Sequence, residues 1–201
     1  MSRLANGSAN AGEPLDLPAF SLDVQALDLG ADVKAVGLEL LETESREPVR
    51  GTEAAEFWAA ALPLVANDEP FVLDFFSHLD RVRVFCANHN IAFREAASRS
   101  LVIWQPSQQQ LRQLMERFAA ETFGLRAGER TREDDGALAG ELSGHGVDGY
   151  QGAYRGYSFC AVCELDDGWV TLLSEGLWPS EVVRRLRPAA KSFDVHIARP
   201  N

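Results

Sequence analysis

The chain has 201 residues, of which 46% are hydrophobic, 24% charged and 9% aromatic, the proportions of a folded globular domain rather than of a disordered chain. Nineteen Lys and Arg stand against 30 Asp and Glu, a net charge of −11, which opposes the phosphate neutralisation that general nucleic-acid binding requires. No apolar run approaches the roughly 18 residues that a membrane-spanning helix needs, and Met1 to Gly7 lack the apolar block of a secretion signal.

At roughly 150 residues per domain, one domain is expected, with an elaborated loop. Only Lys34 and Lys191 are lysines, against 17 arginines, a bacterial-type composition that GC-rich coding produces. Three cysteines, Cys86, Cys160 and Cys163, form no disulfide framework and suit a reducing cytoplasm.

In chain order, residues 1–18 mix Ser, Asn, Gly and Pro with few large hydrophobes and read as a flexible N-terminal tail. Phe20, Leu22 and Val24 alternate with Ser21 and Asp23, and Val36, Leu38 and Leu40 with Gly37, Glu39 and Leu41, which predicts two half-buried strands of antiparallel type. Thr52 opens a helix with Glu53 and Glu56 in its first turn, Phe57, Trp58, Ala61 and Leu62 on one face, and Pro63 ending or kinking it. The spacing of Phe71, Phe75, Leu79 and Val82 predicts a second helix capped by Asp68, and Val82 to Cys86 alternate as a following strand.

Leu101 to Trp104 is a short apolar run expected as a central strand. Ser107 and Gln110 then form a capping box for a helix whose apolar face is Leu111, Leu114, Met115, Phe118 and Ala119, with Gly124 at its C-terminal turn. On its exposed side Arg112/Glu116 and Arg117/Glu121 are spaced as ion pairs. Residues 126–156 read as a polar, glycine-rich loop. Tyr157 to Leu165 alternate as a strand, Asp166-Asp167-Gly168 signals a type I′ hairpin, and Trp169 to Leu173 return. Pro179 starts a helix that Pro188 ends, and Phe193 to Ile197 form a last strand. These elements predict a single α+β domain over residues 19–201, an antiparallel or mixed sheet with about four helices packed mainly on one face.

For chemistry, Cys160 and Cys163 have CxxC spacing, but inside an alternating strand residues three apart point to opposite faces. They therefore read as two small half-buried strand residues, and neither a metal nor a cofactor is expected. His78 is a boundary residue beside the second helix's apolar stripe, His196 alternates with Val195 and Ile197 and is expected to face solvent or the helix layer, and His89 lies in an Asn-His-Asn turn. The sequence contains no GxSxG, HExxH, GxxxxGK[ST] or GxGxxG.

The unusual segment is 136–157, which holds seven of the 16 glycines and all three tyrosines. Glycine supplies backbone freedom and tyrosine rigid amphipathic area, a combination that binding loops use. Tyr150 and Tyr154, with His145 and Asp148 beside them, are the candidate binding residues. Acidic clusters at Glu39, Glu42, Glu44 and Glu47 and at Glu133 to Asp135 offer a surface for a basic partner, or a mimic of a phosphate surface. Residues 178–201 reverse the sign, with five bases and two acids. That reversal reads as bases complementing a helix C-terminus, or as a basic edge for an acidic partner.

These features point to a non-enzymatic macromolecule-binding protein, an adaptor, regulator or inhibitor whose partner is another protein and not a membrane. The alternative is a small-molecule-binding domain or enzyme, with His145, Asp148 or His89 lining a pocket under the glycine–tyrosine loop.

Overall fold

The computed structural model describes residues 18–28, 34–67, 69–95, 100–128, 156–174 and 176–198. Residues 1–17 of the predicted 1–18 tail, most of the loop (129–155), and with it Tyr150, Tyr154, His145 and Asp148, lie outside the described residues.

Among the described residues nine strands form one open sheet: β1 (Phe20–Asp28), β2 (Lys34–Glu42), β3 (Phe71–Phe75), β4 (Arg94–Glu95), β5 (Leu101–Trp104), β6 (Phe123–Ala127), β7 (Phe159–Glu164), β8 (Trp169–Ser174) and β9 (Val195–Ile197). Their order is β4-β5-β3-β6-β7-β8-β2-β1-β9. Neighbours run antiparallel except β9, which pairs in parallel with β1. Four helices lie among the described residues: α1 (Gly51–Ala66), α2 (Leu79–Asn88), α3 (Gln108–Phe118) and α4 (Pro179–Ser192). The result is the expected α+β architecture with a mixed sheet.

Alternation along each strand builds the core. Leu22, Val24, Val36, Leu38, Leu40, Leu73, Phe75, Phe123, Leu125, Phe159, Ala161 and Leu172 lie in one buried cluster with Phe57, Trp58 and Leu62 of α1, Val82 and Cys86 of α2, Leu111, Leu114, Met115 and Phe118 of α3, and Val182 and Leu186 of α4. All four helices therefore pack on the same sheet face. Burying side chains of this size contributes on the order of 1.5–3 kcal/mol each.

Several expected elements are replaced by others. Phe71 to Phe75 form β3, not a helix, because β3 lies between β5 and β6 and is buried on both faces apart from its first residue. Such a run is apolar at all but one position, Asp74, and its i,i+4 hydrophobes imitate a helix face. Val82 to Cys86 are helical: Val82 and Cys86, one turn apart, are the buried pair of α2. Gly124 does not end α3 but lies within β6, whose five residues are all buried, so the loop expected from residue 126 begins after this strand. The expected central strand, β5, is second from the edge of the sheet.

Pro63 does not terminate α1, which runs on to Ala66; Arg185 of α4 donates to the Val65 carbonyl at 2.6 Å and satisfies one of its terminal acceptors. Pro188 likewise lies inside α4, which continues to Ser192. The hairpin between β7 and β8 turns through a 3-10 segment, Leu165–Asp167, with Gly168 at φ 71°, in place of a two-residue type I′ turn. Gly168 is required there twice over, since a Cβ would also sit 2.9 Å from Pro48 and 3.0 Å from the Leu40 carbonyl oxygen.

Candidate functional site

The helix layer carries a trough between α2 and α3. Helix α2 buries little besides Val82 and Cys86, so its remaining hydrophobes lie at the surface. Phe85, half-buried, packs edge-on against Phe118 of α3 with centroids 5.4 Å apart, and His89 stacks on its other side at 4.2 Å. Two clefts flank this aromatic sandwich. One, of about 410 Å³, is lined by Asp80, Arg81, Val84, Phe85, Asn88 and Arg117. The other, of about 390 Å³, is lined by Phe85, His89, Gln113, Glu116 and Arg117. Phe85 and Arg117 belong to both, and Val84 is 59% exposed, a large hydrophobe presented to solvent on the wall of the first cleft.

One end of the trough is fixed by Glu121, which accepts from Ser77 Oγ at 3.0 Å and Arg81 Nη1 at 3.1 Å and lies 3.4 Å from His78 Nε2. His78 itself adopts φ 47° at the N-cap of α2. The ion pairs expected within α3 are not the ones formed. Arg112 reaches across to Glu56 of α1 at 2.8 Å, Thr52 donates to Glu116 at 3.1 Å, and Glu121 serves α2. The spacing puts all four side chains on the exposed side, yet Glu121 is only 12% exposed, because Ser77 and Arg81 close over it.

A second cluster lies on the sheet face away from the helices. Asp74 in β3 and Arg126 in β6 are both 0% exposed and form an ion pair at 3.1 Å. Arg126 Nη1 also donates to Tyr157 Oη at 3.2 Å, and its guanidinium carbon lies 5.5 Å from the Tyr157 ring centroid. Nearby, Ser158 N–H donates to the Ala127 carbonyl at 2.8 Å, and Gly128 N–H to the Pro70 carbonyl at 2.9 Å. The cluster thus clamps the two described ends of the 129–155 connection to β3. Sequence reading overlooked both charges. Their signal was a single ion of opposite sign near the middle of each of two apolar five-residue runs.

The cysteines behave as their placement dictates. Cys163 faces the core and Cys160 the opposite side of β7, so the CxxC pair cannot close on one ion. Burial pushes the Cys86 thiol up to about 11 and raises that of Cys163 as well. None of the three cysteines is joined in a disulfide, and among the described residues no group of three or more His, Cys, Asp or Glu stands positioned to hold a metal ion. His89 lines the trough, whereas His196 is exposed on β9. No helix among the described residues is long and apolar enough to cross a membrane.

Compared with protein-family models, with curated proteins and with solved structures, the chain finds no match.

Proposed function

We propose that the protein acts by binding another macromolecule, in the first instance another protein, as an adaptor, regulator or inhibitor in the cytoplasm. The observation that carries this reading is the α2–α3 trough. It has an aromatic floor (Phe85 between Phe118 and His89), an exposed valine on its wall and arginines at its rim. Anchor pockets of protein interfaces combine aromatic and arginine side chains in this way. The net charge of −11 and the Gly/Tyr-rich segment around Tyr150 and Tyr154 support the same reading from the sequence.

The test is affinity capture from the native cell extract with three baits: wild type, Val84→Asp, and Tyr150→Ala combined with Tyr154→Ala. A partner retained by wild type and lost with Val84→Asp, at an unchanged melting temperature, is the expected result. Val84 is a surface residue, so its replacement should move stability by no more than about 0.5 kcal/mol. Capture that survives both variants overturns the reading for both surfaces. Co-purification of a small molecule in the cleft beside His89, with no protein captured, would instead favour a ligand-binding domain or enzyme.

A further inference from the structure

At the other end of the molecule from the β4 edge, the sheet finishes in β9, and its hydrogen-bonding pattern is set by one contact. Ala198 N–H donates to the Leu22 carbonyl at 3.0 Å, within a parallel register that pairs Phe20 with Val195 and Leu22 with Ile197. In a parallel ladder alternate residues point their N–H and C=O to opposite sides. His196 and Ala198 therefore address β1, while the N–H and C=O of Val195 and Ile197 point outward. Among the described residues no strand lies beyond them.

Beside this edge is a cleft of about 390 Å³, lined by Val183, Arg187, Ala190, Lys191, Val195, Ile197 and Ala198. Its walls are apolar, its two charged residues are both cations, and both are exposed. The neighbouring cations Arg184 and Arg185 are paired with Glu181, whereas no ion pair of Arg187 or Lys191 is formed among the described residues. Asp194, just before β9, is the nearest acid in sequence. In a chain of net charge −11, this edge is a local island of positive charge.

We propose that β9 is a docking edge for an extended acidic segment of another protein, which adds to the sheet as a further strand. Outward backbone groups of Val195 and Ile197 supply the main-chain bonds, the mode of β-augmentation. Alternate side chains of the added strand face the α4 cleft, where an apolar residue meets Val183 and Ile197 and flanking carboxylates meet Arg187 and Lys191. A second copy of this chain fits less well, because two β9 edges paired about a two-fold axis would bring Arg187 and Lys191 against their own copies. The assignment deepens the reading of the protein as a protein-binding module and rests on it.

The probe is the acetylated, fluorescein-labelled peptide Glu-Thr-Val-Thr-Glu-Thr, which places Glu, Val and Glu on one face, with Lys-Thr-Val-Thr-Lys-Thr as control. Anisotropy titrations with the full chain should show the acidic peptide binding and the basic one not. Arg187→Glu with Lys191→Glu should weaken binding about tenfold or more. Ile197→Pro removes one outward N–H and no bond to β1, so it should abolish binding while the chain stays folded by circular dichroism, and Ile197→Val should bind as wild type does. Equal binding of both peptides, binding of neither, or undiminished binding by Ile197→Pro overturns the proposal. So does sedimentation showing a dimer that Ile197→Pro dissolves, which would assign the edge to a second copy. If the peptide fails while Val84-dependent capture persists, the edge assignment falls and the broader reading stands.

Discussion

The two faces of the sheet are both buried along its central strands, yet different chemistry fills them. The helix side is hydrocarbon and aromatic ring, with Phe75 stacked on Phe123 at 5.2 Å and edge-on to Phe118 at 5.6 Å. The far side sets Val72, Val102, Cys160 and Leu173 around a buried carboxylate and guanidinium. A hydrocarbon face tolerates repacking, because its attraction is non-directional and scales with area. A buried ion pair tolerates almost nothing at one partner alone, since the remaining charge stays desolvated.

The largest expected effect follows from that asymmetry. Asp74→Ala should cost about 3–5 kcal/mol, read as a lowered urea midpoint, while Asp74→Leu with Arg126→Met should recover most of the loss. A single variant within about 0.5 kcal/mol of wild type would mean that water reaches this face and that the contrast is overstated.

Next comes a packing test on the same face. Trp169 lies over Gly37, where an added Cβ would sit 2.7 Å from the indole ring, and the ring N–H donates to Thr171 Oγ1 at 2.8 Å. Gly37→Ala should displace the ring and cost about 1–3 kcal/mol, with a change in tryptophan emission as the local readout.

Effects on the solvent side of the helix layer should be smaller. Ser107 Oγ accepts from Gln110 N–H at 3.3 Å and Gln110 Oε1 accepts from Ser107 N–H at 3.0 Å, so Ser107→Ala should cost about 1 kcal/mol in thermal unfolding. Glu181 comes last. Hydrogen bonds from Arg184 and then Arg185 hold its carboxyl at about 2, below an ordinary 4.5. A lowered native value stabilises the fold above the unfolded value, and that contribution disappears as pH falls from 4.5 towards 2. Wild type should therefore exceed Glu181→Gln slightly at pH 7, and the two should converge near pH 2.

Much of the fold was legible in the residues. Strand β1 alternates, β2 is legible from Val36, Leu38 and Leu40 although it is buried on both faces, the Ser107–Gln110 box starts α3 where its pattern says, and the opposed faces of Cys160 and Cys163 follow from strand period alone. Legibility failed at two other strands. Phe71 to Phe75 lacks clean alternation because both its faces are covered, whereas Phe123 to Ala127 does alternate, but its Gly124 reads as a helix terminus and its Arg126 as the start of a loop. The trough was half legible: Phe118 and His89 were singled out, but Phe85 was assigned to a strand and Val84 with it. The Asp74–Arg126 pair depends on the register of β3 against β6, a long-range property that local pattern does not carry. Tyr150, Tyr154, His145 and Asp148 fall outside the described residues, so their proposed role rests on composition.

The sheet order has a consequence for how the molecule is made. Strand β2 pairs on one side with β1, its immediate predecessor, and on the other with β8, which leaves the ribosome only after α1 to α3 and β3 to β7. Throughout that interval the early hairpin presents an unsatisfied backbone edge, the kind of surface on which nascent chains stick to one another. Closure between such distant segments is entropically slow, so refolding should take milliseconds to seconds, and recovery of native protein should fall as the concentration of refolding chains rises.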